Sequence, residues 1–301
     1  MDQSGTIGFV GFGEAAFHLS KGLLDAGLGP FVAYDIHTHT AGRGEKIQQR
    51  ARETGTRLAG SNAELAGAAG WILSTVTSDQ AAIAAGQNAP HLRVPHLYAD
   101  LNSVSPAVKQ GIARTIEATG ARFVEIAMMA PVPPYGHRVP ILAGGAAALE
   151  FADRMKPYGM RIEVVSREVG TAAATKMFRS IMVKGMEALM TECVLGAGRY
   201  GAEQAVFASL AESYPGIDWK MMADYMIGRV VEHGERRARE MEEVAETLES
   251  IGIEPIMAEA TARRMDWSAQ IGLKKRFGGE PPRNYREFLT AVAELESVHQ
   301  K

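Results

Sequence analysis

Hydrophobic and polar positions change rhythm once along this chain. Up to about residue 166, short apolar runs alternate with amphipathic stretches. The runs fall at 6–10, 31–35, 71–75, 96–100, 121–126 and 139–143. Helical periodicity occupies 14–26, 44–53, 63–68 and 106–118 between them. Short apolar runs bounded by turn residues predict strands, and apolar positions recurring every three to four residues predict helices. Strand and helix in repeated alternation predict right-handed crossovers and a mostly parallel sheet. The runs are continuously apolar rather than alternating, as strands covered on both faces must be. From about Gly170 the short runs cease. Long helical patterns follow at 172–197, 202–213, 219–249, 255–271 and 285–299, with Gly252 and Pro255 closing one helix and opening the next. The expected architecture is an α/β doubly wound sheet over 1–166, then an all-α domain over 167–301 that begins with a long helix.

Composition narrows this picture. Thirty-two Lys and Arg stand against 35 Asp and Glu, a net charge of -3. A nucleic-acid binder carries a basic excess, so that class is disfavoured, whereas a small anionic substrate needs only a local basic pocket. The single cysteine, Cys193, permits no disulfide within the chain and fits a reducing, cytoplasmic setting. The polar start MDQSGT does not read as a signal peptide, and no run approaches the ~20 apolar residues of a membrane span. Fifteen methionines are expected mostly as gap-fillers between helices. The histidines are scattered and form no metal-ligand spacing, so no metal is invoked.

Candidate chemistry begins at the first turn. Gly11-Phe12-Gly13-Glu14-Ala15-Ala16 follows a strand and opens a helix. This is a G-x-G-x-x-A form of the dinucleotide fingerprint. The first Gly makes the tight turn, the second lets backbone approach a pyrophosphate, and the small third residue lets helix and strand pack closely. Helix N–H groups and the positive dipole end face the phosphates. Asp35 ends the second strand, where a carboxylate would hold the ribose hydroxyls of NAD. Thr38, Thr40 and Arg43 follow it and would suit a 2′-phosphate instead. NAD is therefore the expected cofactor, with NADP possible. Thr75 and Val76, after the strand at 71–75, are expected to join Gly11, Phe12, Gly13, Glu14, Ala15 and Asn102 in cofactor contact.

Four stretches in order carry a resemblance: IGFVGFGEAA, DLNSVSPAVK, RFVEIAMMAPVPPYGHRVPILAGG and GTAAATKMFRS. Together they are similar to the β-hydroxyacid dehydrogenases, relatives of 3-hydroxyisobutyrate and 6-phosphogluconate dehydrogenases. The second resembles that family's D-x-S-T-x-x-P substrate motif, the third its D-A-P-V-S-G-G stretch, and the fourth its catalytic-lysine segment. The resemblance covers about residues 5–195. It implies a Rossmann domain, an interdomain helix, a helical domain that helps dimerise, and an active site in the cleft between the domains. It also implies NAD(P)-dependent oxidation of a small 3-hydroxy acid, or the reverse reduction, in a homodimer or higher homo-oligomer. Lys176 takes the catalytic lysine's place. Asn102 and Ser103 stand where the family has Ser and Thr, Met129 opens the altered S-G-G stretch, and Ser180 replaces the Asn four residues after the lysine.

Removing a hydride from a C–OH requires a proton acceptor, and a lysine serves only if its pKa falls well below about 10.4. A dry cleft, the charge of an oxidised nicotinamide and a helix N-terminus would all push it down. Lys176, Ser180, Lys184, Glu187 and Thr191 form one polar stripe at helical spacing. Lys184 and Glu187 read as solvated or ion-paired members of it. Ser105 before Pro106 reads as a helix N-cap, which leaves Asn102 and Ser103 to meet substrate or nicotinamide. His137 is a candidate for a substrate carboxylate, as is Arg138. HGERRAREMEE, from His233, reads as a salt-laced solvent face or as a helix offering His233 or Arg236 to the cleft. Two other functions compete: an imine reductase on the same fold, whose members usually lack this lysine, and a dinucleotide-binding sensor without turnover.

Overall fold

The computed structural model describes residues 5–299; the start at Met1–Ser4 lies outside the described residues. The chain divides into two compact units, Met1–Lys176 and Met177–Lys301. In the first, β1 (Ile7–Val10), α1 (Glu14–Asp25), β2 (Phe31–Tyr34), α2 (Arg43–Glu53), β3 (Arg57–Leu58), α3 (Asn62–Ala68), β4 (Trp71–Ser74) and α4 (Ala81–Asn88) come first. They are followed by β5 (Leu97–Asp100), α5 (Pro106–Glu117), β6 (Arg122–Met128), β7 (Pro140–Gly144), α6 (Ala148–Met155) and β8 (Arg161–Ser166). The eight strands form one sheet in the order β3-β2-β1-β4-β5-β6-β7-β8. All neighbouring pairs run parallel except β6 with β7. The register aligns Val10 with Tyr34 and with Ser74, and Ser74 with Asp100, so these strand ends share one edge.

Both sheet faces are covered, which is why the strands read as unbroken apolar runs. Ile7, Phe9, Phe31, Leu73, Val124 and Ile126 pack with Leu19 and Leu23 of α1 and Phe151 of α6. Val10, Val32, Ile72, Tyr98 and Phe123 pack on the other face with Leu65 of α3, Ala85 of α4 and Ile112 of α5. Ser105 caps α5 as expected, its hydroxyl accepting from the Val108 N–H. Two strands escape the apolar-run criterion. β3 has only two residues, and β8 is an edge strand of alternating exposure. The Ala-rich α4 escapes because alanine gives little contrast between faces.

The second unit is helical. It takes up the 30-residue α7 (Thr171–Tyr200) after Lys176, then α8 (Glu203–Ser213), α9 (Trp219–Ser250), α10 (Ile256–Gln270), α11 (Leu273–Arg276) and α12 (Tyr285–His299). Val194, Phe207, Ile227, Tyr285 and Phe288 form its main core. Of the two readings of Lys184 and Glu187 in the α7 stripe, solvated or ion-paired, the ion-paired one holds. Lys184, Glu187 and Thr191 are buried. Lys184 pairs with Glu240 at 2.7 Å, and Glu187 with Arg237. Burial lowers the Lys184 pKa although Glu240 pulls it up. HGERRAREMEE likewise has two faces: Arg237 turns inward, while Arg239 and Glu235 pair at the surface. No helix among the described residues is long and apolar enough to cross a membrane.

Candidate active site

In an open parallel sheet, ligands bind beyond the carboxyl ends of the strands, where the strand order reverses. Here that point lies between β1 and β4, and the loops after β1, β2, β4 and β5 meet around it. Gly11 turns the chain at φ +79°, a left-handed conformation that costs other residues energy. A Cβ there would stand 2.8 Å from the Thr75 carbonyl oxygen and 2.9 Å from Val76 Cγ1. Gly13 differs: a Cβ there would meet nothing within 4 Å. The backbone at Gly13 therefore borders open space at the N-terminus of α1, where no side chain caps the helix. A phosphate fits this chemistry, with uncapped N–H groups and room for close approach.

The neighbouring loops brace that turn. Gly11 donates its N–H to the Tyr34 carbonyl at 2.8 Å, and the Thr75 hydroxyl donates to the Gly11 carbonyl at 2.9 Å. Asp35 accepts from the Phe12 N–H through one oxygen and from the His37 N–H through the other, both at 2.8 Å. A carboxylate has about four lone-pair sites, so capacity remains for ribose hydroxyls. Thr38 is buried, its hydroxyl donating to the Asp35 carbonyl, and so is taken by the turn itself. His37, Thr40 and Arg43 link through side-chain hydrogen bonds beside it.

A second constellation closes β5. Asp100 and Lys109 form an ion pair at 2.7 Å, with both side chains almost wholly buried. The Lys109 ammonium also donates to the Asp100 and Ile126 carbonyls, at 2.7 and 3.2 Å. Asp100 in turn accepts from the Asn102 amide, which donates to the Ser74 hydroxyl at 3.0 Å and accepts from the Val76 N–H at 2.7 Å. Asn102 is thus a buried bracket between the β4 and β5 loops, not a side chain presented outward. Ser103, the next residue, is exposed and accepts a hydrogen bond from the Lys176 ammonium at 3.0 Å. Two sequence-predicted residues 73 positions apart are brought together.

Lys176 stands in the second turn of α7. The N-terminus of that helix is capped by a group the sequence did not reveal. Buried Glu125, in β6, accepts from the Gly170 and Ala172 N–H groups at 2.8 and 2.9 Å. Its acidic side chain opposes the dipole argument for Lys176. A Glu inside an otherwise apolar strand was the available signal. Met129 follows the end of β6, half-buried, with its N–H on the Pro140 carbonyl at 2.8 Å. Glu14 and Ala15 open α1 beside Gly13, and Ser180 lies one turn after Lys176 on α7.

His137 is not brought to this edge. Its ring is buried against α1, where a Cβ on Gly22 would collide with Nδ1, and it faces Gly159 on the other side. Burial, reinforced by the Arg138 charge, lowers its pKa. The carboxylate-binding role expected of His137 does not fit this placement, because the ring is used in packing.

Alanine at position 11 should cost about 1–2 kcal/mol in backbone strain alone, with the collision against Thr75 added. NADH affinity of Gly11→Ala, read by fluorescence titration, should fall about tenfold or more. Unchanged affinity would mean that the turn does not shape a ligand site.

The strand order and this edge define a dehydrogenase-type Rossmann fold followed by helices, and known proteins give that class its family. Residues 197–268 match a domain of unknown function, DUF1932. The crystal structure of a conserved hypothetical protein from Sinorhizobium meliloti 1021 is 37% identical, with a TM-score of 0.86 over 98% of this chain and 97% of that one. The conserved protein MTH1747 is 32% identical, with a TM-score of 0.77 over 91% of this chain and 99% of that one. Its function is described as unknown and its structure as similar to 3-hydroxyacid dehydrogenases. The 3-hydroxyisobutyrate dehydrogenase of Mycobacterium tuberculosis shares the fold at 14% identity, with a TM-score of 0.71 over 88% of this chain and 92% of that one. The chain belongs to the β-hydroxyacid dehydrogenase family, in a branch that carries the DUF1932 helical domain.

Proposed function

We propose that the protein transfers a hydride between a nicotinamide dinucleotide and a small 3-hydroxy acid or its oxo form, with Lys176 moving the hydroxyl proton. The single observation that carries this reading is the 3.0 Å contact of the Lys176 ammonium with Ser103 on the ligand edge of a Rossmann sheet. Gly11 and Gly13, with the N-terminus of α1, hold the pyrophosphate, and Asp35 holds the adenosine ribose. When bound, the dinucleotide supplies the hydride acceptor or donor. Lys176, as the free amine, takes the proton from the substrate hydroxyl in oxidation and returns it in reduction. Ser103 fixes the direction of the amine, and the Asn102 bracket fixes Ser103. With Glu125 opposing the helix dipole, the pKa of Lys176 must be lowered by water exclusion and by the charge of an oxidised nicotinamide. The test is NADH-linked turnover over a panel of 3-hydroxy and 3-oxo acids. Tight NADH binding with no turnover across the panel would favour the sensor reading instead.

The cofactor we propose is NAD. Asp35 is pinned by two main-chain N–H groups, so its carboxylate cannot swing away from a 2′-phosphate. A negative group held there repels that phosphate. NADH should therefore bind more tightly than NADPH, and Asp35→Ala should erase the difference. A wild-type protein preferring NADPH would assign the exposed His37–Thr40–Arg43 cluster to the 2′-phosphate instead.

A further inference from the structure

The helical unit carries a charge feature that the proposed chemistry does not use. Residues 273–286, LKKRFGGEPPRNYR, hold five Lys and Arg against one Glu, in a chain of net charge -3. Two cavities are lined in part by this segment. The larger, about 780 Å³, is lined by Arg276, Arg283 and Arg286 among others, but these cations already have partners. Arg276 pairs with Glu294, Arg283 lies by Glu287, and Arg286 donates to the Tyr285 hydroxyl. The smaller cavity, about 560 Å³, lies between α9 and the turn around α11 and is lined by His233, Arg236, Lys274 and Lys275.

The charges of this smaller cavity are less compensated. Neither Lys274 nor Lys275 has an ion-pair partner among the described residues. Of the two acids in the lining, Glu235 is engaged by Arg239 and Glu232 approaches the His233 ring at 3.4 Å. Arg236 is engaged by Glu240. Arg229, one turn before His233, has a buried Nε without a hydrogen-bond partner. The pKa of His233 is lowered by burial, and the charges of Arg229, Arg236 and Lys274 push it further down against the pull of Glu232.

We infer that this cavity of the helical unit is an anion site for the phosphate group of a small molecule. Like charges held at one concave wall focus potential and concentrate a counter-ion. Two lysines supply mobile point charges, an established way of holding a phosphate. The volume admits a phosphate ester as well as inorganic phosphate.

The test is a histidine-ring NMR titration of the full-length protein at constant ionic strength, with the His233 signal assigned by its loss in His233→Gln. Inorganic phosphate and glycerol phosphate serve as probes, with chloride as control. The His37 signal reports separately on the dinucleotide edge. The expected result is a saturable shift of the His233 signal and a raised titration midpoint. Both should disappear in Lys274→Glu/Lys275→Glu, whose exposed positions leave the fold intact. A larger response to glycerol phosphate than to phosphate would identify the ester as the ligand class, and the reverse would identify the free ion. A response equal to that of chloride, or one that survives the double charge reversal, would overturn the inference.

Discussion

Lys176→Met should lose about 10²–10⁴ in kcat, the contribution of a positioned acid or base, while NADH affinity is retained. The amine contacts Ser103 at the ligand edge, while the glycine turn is braced by Asp35 and Thr75. Removing the amine therefore takes away proton transfer and leaves cofactor binding. Lys176→Arg should not rescue the rate, because a guanidinium stays protonated and cannot accept the hydroxyl proton. In the oxidation direction, kcat/KM of the wild type should rise with pH as the amine loses its proton, then level off. That rising limb should be absent from the residual activity of Lys176→Met. The measurement is steady-state kinetics on the hydroxy acid that the wild type turns over. A kcat near wild type would remove Lys176 from the chemistry and leave only the dinucleotide fold.

The second large effect lies below the site. Lys109→Met should destabilise the Rossmann unit by about 3–5 kcal/mol, because it strands the buried Asp100 carboxylate without its partner. The pair is almost wholly excluded from solvent, and the ammonium spends its donors on Asp100 and on the carbonyls of β5 and β6. Asp100→Asn in the same chain removes the stranded charge, so the double variant should recover most of the loss. Denaturant titration with a probe on Trp71, in β4, reads both. A loss near zero in the single variant would mean that water reaches the pair. The loop it anchors carries Asn102 and Ser103, so surviving Lys109→Met protein should also orient Lys176 less well.

The fold was legible wherever one physical signal dominated. Continuous apolar runs gave the central strands, because burial on both faces forbids polar residues there. Ser105-Pro106 marked the start of α5 through cap chemistry that operates within three residues. The turn at Gly11 was legible for the same reason. What failed was what depends on distant partners. Lys184 and Glu187 are ion-paired, one of the two readings of their stripe, but the burial of Lys184, Glu187 and Thr191 has no local signal. The stripe is buried because α9 places Glu240 and Arg237 opposite. Asn102 could be placed at a strand end, but its use as a bracket depends on Ser74 and Val76, more than 25 residues away. His137 has the composition of a ligand and the surroundings of a core residue, set by the close approach of Gly22. Glu125 stands in a strand that reads as an apolar run, and the N–H groups it caps, at the helix that bears Lys176, lie 45 and 47 positions further along the chain.

One crystal structure of the protein with NADH and a turned-over oxo acid tests the central claim most directly. The account predicts nicotinamide C4 within about 3.5 Å of the substrate carbon, and Lys176 Nζ within about 3.2 Å of the substrate oxygen. A nicotinamide ring lying beyond reach of both Ser103 and Lys176 would contradict it.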